Sequence, residues 1–278
     1  MKRAYTLPAD GRGMGGGGRG AERHQPRKRF GQNFLVDRHY IERIVAAIAP
    51  RPDDTMVEIG PGLGALTREL AGRVRRLTLI EIDRDLAARL QAEFGDDVSL
   101  HVVDALAFDF ASLGRGLRVI GNLPYNISSP LLFHLAEHAN AIADITVMLQ
   151  KEVVQRMAAE PDTPAYGRLS VMLQVRFRVE RLLLVPAGAF QPAPKVESAV
   201  ARLTPLETPP AITDTRLFAQ LVTAAFGQRR KTLRNALSAW TTAAELQAQG
   251  IDPGARGETL AVSDFVRLAN ALAERRSR

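Results

Sequence analysis

The amino-acid sequence predicts an α/β fold, a doubly wound sheet with helices on both faces, followed by a small all-helical domain. Three observations carry this reading. From about residue 55, short apolar runs alternate with segments of helical spacing, the pattern of a sheet built from strand–helix–strand units. A glycine turn, Glu58-Ile59-Gly60-Pro61-Gly62-Leu63-Gly64, stands between the first apolar run and the first helical segment. After Pro205 the strand-like runs stop and helical spacing takes over.

Residues 1–29 hold seven of the 22 glycines and almost no large apolar side chains. Such a segment buries too little surface to offset its ordering entropy, so it reads as a disordered, basic, Gly-rich tail. The alternative is an over-early start, with Met14 as a later candidate. Thr55–Gly60 is the first strand, and a helix is expected from Ala65. Leu77–Asp83 is the second strand, and Leu86, Leu90 and Phe94 share one face of the next helix at i, i+4, i+8. Val98–Val103 and Leu117–Gly121 are the third and fourth strands. Ser128-Ser129-Pro130 opens a helix, proline being suited to a first turn. Ile145–Leu149 is the fifth strand, with a helix around Glu152–Ala159, and segments near Val175–Val185 and Ser198–Leu203 are the last strands. Pro209-Pro210 reads as a linker. Beyond it, Leu217, Leu221, Val222, Ala225 and Phe226 keep helical spacing, and a final helix starts near Ser263. The domains expected are therefore residues 1–29, 30–205 and 206–278.

The 278 residues suffice for one large domain or two small ones. Lys and Arg number 37 and Asp and Glu 30, a net of +7. The excess sits at the ends. Residues 1–29 have eight basic and two acidic residues, residues 30–204 have 19 and 21, and residues 205–278 have 10 and 7. Basic ends point to a polyanionic partner. The absence of cysteine excludes disulfides, thiolate metal sites, iron–sulfur clusters and cysteine nucleophiles. No apolar run reaches the roughly 18 residues of a membrane span. The basic N-terminus lacks the apolar stretch of a secretory signal, so a cytoplasmic protein is expected.

Ligands of open α/β sheets bind outside the carboxyl ends of the strands. There Gly60 opens the turn, Glu81 follows about 20 residues later, where a carboxylate can accept from ribose hydroxyls, and Asp104 and Asn122 end the next two strands. A glycine turn alone is compatible with dinucleotides, phosphates or S-adenosylmethionine. Three convergent acceptors suit a nucleoside with hydroxyls and an exocyclic amine. Pro61 removes a backbone donor and the full G-x-G-x-x-G is missing, so a phosphate-containing dinucleotide fits less well. Taken singly, Glu81 or Asp104 reads as readily as a helix cap, with Asp83 as the true cap of the following helix.

Asn122-Leu123-Pro124-Tyr125 resembles the hallmark of amino-methyltransferases that use S-adenosylmethionine. The wider Gly121–Ser128 stretch is similar to the rRNA adenine N6-dimethyltransferases, as are Gly31–Leu35 upstream and Phe190–Ser198 downstream. Phe226–Asn235, Glu258–Leu260 and Phe265–Leu272 resemble the small-subunit branch of that family. The resemblance covers about residues 27–275. It implies a Rossmann-like methyltransferase sheet and transfer of four methyl groups to two adjacent adenosines in the 3′-terminal hairpin of 16S rRNA. The substrate would be the small ribosomal subunit or its precursor, the cofactor S-adenosylmethionine without a metal, and the enzyme a monomer with no membrane partner. It further implies cofactor contacts at Asn33, Leu35, Gly60, Glu81, Asp104 and Asn122, with Gln32 a weaker candidate. The runner-up is the related 23S rRNA methyltransferase that gives macrolide resistance. A non-catalytic RNA-binding assembly factor is the reading from another class, and the intact Asn122–Tyr125 motif argues against it.

The residues suit this chemistry on their own terms. An adenine N6 amine is a poor nucleophile because its lone pair is conjugated with the ring. The Asn122 side-chain oxygen and the Leu123 or Pro124 carbonyls can accept its two N–H bonds. Proline stiffens the loop. A reacting base must leave its stack, and aromatic rings receive splayed bases in RNA recognition; Tyr125 and Phe190 are the two candidates. Phe190 has a plainer alternative, a loop hydrophobe plugging the core. Arg229, Arg230, Lys231 and Arg234 are candidate phosphate contacts, or else a solvated helix start, and Lys195 is a candidate partner for a phosphate beside the displaced base. The tail is expected to add affinity for RNA without specificity.

Overall fold

The computed structural model describes residues 33–228 and 230–277. The expected tail at 1–29, Gly31, Gln32 and Arg229 lie outside them. Seven strands form one sheet in the order β4–β3–β2–β5–β6–β9–β7: β2 (Thr55–Ile59), β3 (Arg76–Glu81), β4 (Ser99–Val102), β5 (Leu117–Asn122), β6 (Ile142–Gln150), β7 (Phe177–Val185) and β9 (Ser198–Pro205). The first five pair in parallel, while β9 runs antiparallel between β6 and β7. A two-stranded ribbon, β1 (Phe34–Leu35) with β8 (Phe190–Gln191), stands apart from it.

Consecutive strand residues face opposite sides, so each central strand feeds two cores. Val57, Val119 and Val147 join α4 (Ser128–Glu137), α5 (Lys151–Met157) and α6 (Arg168–Gln174) on one face. Met56, Ile120 and Met148 join α1 (Arg38–Ile48) and α3 (Arg84–Phe94) on the other. The sheet thus has both faces covered, as near-continuous apolar strands require. Asp83 caps α3, its carboxylate accepting from the Asp85 N–H at 3.0 Å. The helix expected from Ala65 is only the single turn α2 (Thr67–Leu70), ended before Gly72. The sequence reading assigns no element to α1, although Ile41, Ile44, Val45 and Ile48 repeat at i, i+3, i+4, i+7 and are buried.

Past β9 the described residues form α7 (Thr215–Gly227), α8 (Leu233–Ala236), α9 (Ala243–Ala248) and α10 (Val262–Arg276). The α7 and α10 helices pack together through Leu221, Val222, Phe265 and Leu268. Their core takes in Ala159, Tyr166, Val171 and Val175 from the α/β part. The Tyr166 hydroxyl donates to the Leu260 carbonyl at 3.0 Å, fixing the two parts at one buried point. Among the described residues no helix is long and apolar enough to cross a membrane.

Candidate active site

The carboxyl ends of β2, β3, β4 and β5 surround one cleft, with β1 closing its side. Asn33, Leu35, Gly60, Glu81, Asp104 and Asn122 all line it, as do Leu123, Pro124 and Tyr125. Residues spread over 93 positions of sequence therefore meet in a single site.

The turn after β2 makes the close approach. Gly60 and Gly62 hold φ of +66° and +59°, values that L-residues with side chains rarely adopt. A Cβ on Gly62 would also meet the Phe34 ring at 3.1 Å. Glu81 buttresses the turn. One of its oxygens accepts from the Gly62 N–H at 3.3 Å, and the other accepts from the Asp83 N–H at 2.9 Å. A carboxylate has about four acceptor positions, so Glu81 can support the turn and still accept from a ligand. Burial pushes its carboxyl above the ordinary range, and the Asp83 and Gly62 N–H groups pull it back. Asp104 is exposed; one oxygen caps its own loop by accepting from the Leu106 N–H at 2.9 Å. Cap and ligand contact are thus compatible in one residue.

Asn122 ends β5 with its side-chain amide oriented. Its Nδ2 donates to the Asn33 carbonyl at 2.9 Å, which leaves Oδ1 as the acceptor turned away from that bond. The Leu123 N–H donates to Met148 at 3.1 Å, and the Ile127 N–H donates to the Pro124 carbonyl at 3.2 Å. The loop is therefore a closed turn. That turn engages one of the two lone pairs of the Pro124 carbonyl, so the Leu123 carbonyl is the less engaged of the two backbone acceptors. The Leu123 side chain is 1% exposed and roots the loop in the core. Tyr125 is half-buried, with its hydroxyl 2.7 Å from the Ser198 hydroxyl.

Of the two readings of Phe190, the structure shows the plainer one, a hydrophobe in the core. It is 4% exposed, sits in β8 opposite Leu35, and belongs to the core on the α1 side of the sheet. It does not line the cleft. Pairing of β8 with β1 draws the ring inward, so Phe190 anchors the ribbon and Tyr125 is the aromatic that faces the site. Lys195, Arg230, Lys231 and Arg234 are exposed and lie outside the cleft.

The sequence reading passes over Glu58. It is 2% exposed, lines the cleft, and accepts from the Thr67 hydroxyl at 2.7 Å. Burial pushes its carboxyl up to about 7, against the pull of the Thr67 hydrogen bond. One signal was available: a lone carboxylate inside the apolar strand Thr55–Ile59. Ile82 also lines the cleft and is 46% exposed, an apolar surface left open beside the acceptors.

A parallel sheet with a glycine turn after its first strand, an acidic residue after the next, and Asn-Leu-Pro-Tyr at the end of β5 defines the Rossmann-like methyltransferases. The model of one family, ribosomal RNA adenine dimethylase, matches residues 23–274. A protein named ribosomal RNA small subunit methyltransferase A from Aromatoleum aromaticum is 57% identical over 257 residues, covering 92% of this chain and 97% of that protein. The protein of that name from Chromobacterium violaceum is 56% identical over 259 residues, covering 92% and 99%. Among solved structures, the 23S rRNA methyltransferase ErmE superposes with a TM-score of 0.65 at 30% identity, covering 87% of this chain and 100% of that one. A dimethyladenosine transferase from Plasmodium falciparum gives a TM-score of 0.75 at 24% identity over 87% and 98%, a likeness of fold. The chain belongs to the ribosomal RNA adenine dimethylase family.

Proposed function

We propose that this protein uses S-adenosylmethionine to dimethylate N6 of two adjacent adenosines in the 3′-terminal hairpin of 16S rRNA, within the small ribosomal subunit or its precursor. It acts as a monomer in the cytoplasm, where that RNA is. The observation that carries the reading is the Asn122–Tyr125 loop, closed on itself and rooted beside a cleft that suits a nucleoside. The small-subunit substrate is favoured over the 23S alternative by the naming of the relatives at 56–57% identity.

The cleft fits S-adenosylmethionine on its own features. Glu81 and Asp104 offer carboxylate oxygens to hydroxyls and an exocyclic amine, Ile82 and Leu86 give an apolar wall, and the buried Glu58 carboxyl supplies a counter-charge for a cation when ionised. Asn33, Leu35 and Gly60 complete the contact set. When bound, this cofactor supplies a methyl group already activated on a sulfonium. Asn122 Oδ1 and the Leu123 carbonyl accept the two N–H bonds of the adenine amine and hold its lone pair toward that methyl. Tyr125 stacks on the base. The amine would become cationic as its N–C bond forms and the sulfur–methyl bond breaks to leave a neutral thioether; two fixed carbonyl dipoles stabilise the developing charge, and the nitrogen then loses its N–H proton to solvent, restoring the lone pair for the second transfer. Positioning alone supplies up to roughly 7–11 kcal/mol in well-oriented reactions. Arg230, Lys231, Arg234 and Lys195, together with Arg229, contact phosphates, which position RNA without reading its sequence.

The test is transfer of labelled methyl groups to small-subunit particles that lack the mark. Dimethyladenosine in the 3′-terminal hairpin is expected. Its absence there, or its appearance in 23S rRNA with macrolide tolerance on expression, overturns the assignment.

A further inference from the structure

The segment Phe190–Ser198 matches a family motif, yet its aromatic residue is in the core and does not reach the cleft. Its far end bonds Tyr125, which lines the cleft. Ser198 opens β9 between β6 and β7, registered against Gln150 on one side and Val185 on the other, and is fully buried. Its hydroxyl lies 2.7 Å from that of Tyr125. The residue before it is clamped as well. The Glu197 carbonyl accepts from the Lys151 N–H at 3.0 Å, and its carboxylate pairs with the Lys151 ammonium at 2.8 Å.

Tyr125 is thus held at both ends. Its backbone carbonyl accepts from the Ser128 hydroxyl at 3.1 Å in the first turn of α4, and its ring tip is tied to the sheet. Burial pushes the phenol's pKa up, so it stays a neutral hydroxyl that can share a proton with serine. A tyrosine ring has two torsions, and fixing both ends removes the freedom of both.

We propose that Ser198 is a positioning residue for methyl transfer: its hydroxyl sets the plane of the Tyr125 ring on which the target adenine stacks, and the Phe190–Ser198 motif acts on the reaction through this last residue. The inference rests on the methyl-transfer reading above. In-line attack is sensitive to displacement, a 1 Å error costing on the order of 100-fold in rate. A ring free to swing would let the adenine amine wander by that much.

The experiment is a double-mutant cycle on Ser198→Ala and Tyr125→Phe, with Ser198→Thr as the conservative variant. Single-turnover rates on unmethylated small-subunit particles, cofactor affinity by calorimetry, and fluorescence of 2-aminopurine placed at the target position are read together. Each single variant is expected to slow transfer by about 10- to 100-fold while cofactor affinity stays within about twofold, since the two hydroxyls bond each other and Glu81 and Asp104 bond the Gly62, Asp83 and Leu106 N–H groups. The double variant should be no slower than the worse single, because both remove one bond. Ser198→Thr should recover most of the rate, and stacking of 2-aminopurine should weaken in step with the rate. Additive losses in the cycle, or wild-type transfer by Tyr125→Phe, overturn the proposal. Should Ser198→Ala fail to fold, Tyr125→Phe removes the same bond from the half-buried side and decides alone. Failure of the wild-type protein to methylate the particles overturns the functional reading instead, and is a separate result.

Discussion

Replacing Glu58 by glutamine should remove a large part of the pH dependence of stability. The carboxyl is 2% exposed, and its pKa rises from an ordinary 4.5 to about 7 because burial disfavours the ionised form. In the unfolded chain it ionises near 4.5. Between these values the native state holds a proton that the unfolded state has lost, so stability falls as pH rises. The contribution is intact below about pH 4.5 and lost by about pH 7. At 1.36 kcal/mol per pH unit, the gap corresponds to about 3 kcal/mol. Glutamine keeps an oxygen for the Thr67 hydroxyl and cannot ionise. The variant should therefore match the wild type near pH 4 and exceed it above pH 7.5. At about 2–4 °C per kcal/mol for a chain of this size, the melting temperatures should part by about 6–12 °C. Thermal unfolding of both proteins from pH 4 to 8.5 measures this, and the difference between the curves cancels the titrating groups that do not interact with Glu58; Glu81, whose charge raises the Glu58 pKa, is the exception. Parallel curves would refute the assignment of a buried, proton-holding carboxyl. The same group lines the cleft, so affinity for a cationic cofactor should tighten as pH rises from 6 to 8 and lose that dependence in the variant.

Gly121→Ala should destabilise by about 1–3 kcal/mol or more, because its Cβ would stand 2.4 Å from the Ile59 carbonyl oxygen on the paired strand; an unchanged denaturant midpoint would contradict this. Asn122→Ala should cut single-turnover transfer by about 10²–10³-fold, the cost of removing one preorganised dipole, with RNA binding retained; methylation at the wild-type rate would sink the proposed mechanism. Changing Arg230, Lys231 and Arg234 to glutamine should lower the salt slope of RNA binding by about 0.7 for each phosphate of single-stranded RNA that is no longer neutralised. Deleting residues 1–26, which hold five of the eight tail cations, should flatten the same slope and leave turnover at saturation intact. An unchanged slope in either case denies that segment a role in binding.

The parallel part of the sheet and the strand-end residues Gly60, Glu81, Asp104 and Asn122 can be read from local pattern, because each depends on neighbours in sequence, whereas Asn33 and Leu35 are flagged only by the family resemblance. Thr55–Ile59 is buried along its whole length since it lies mid-sheet, and Asp83 caps the helix that directly follows it. What escapes is set by pairing across distance. Nothing near Ser198 shows that β9 inserts antiparallel between β6 and β7. Phe190 has the look of a loop aromatic until β8 pairs with Phe34–Leu35, some 155 residues earlier, and turns it inward. Glu58 escapes for another reason. A carboxylate within an apolar strand is a charge in sequence terms, whereas burial makes it half-protonated near neutrality.

The uneven charge along the chain follows from the two ligands in the proposed reaction. The methyl donor is a cation and the attacking amine becomes one, so a lysine or arginine in the cleft would oppose both. The charged residue types among the described residues lining the cleft are accordingly acids, Glu58, Glu81 and Asp104, with no lysine or arginine. The proposed RNA substrate is a polyanion, and the exposed cations proposed to meet it, Lys195, Arg230, Lys231 and Arg234, lie outside the cleft. Exposed charges are screened beyond about 8 Å at physiological salt, and buried ones much less. Added salt should therefore weaken RNA binding steeply while cofactor affinity changes little. Equal salt sensitivity of the two would mean that the acidic cleft is wetter than its buried Glu58 and Glu81 imply.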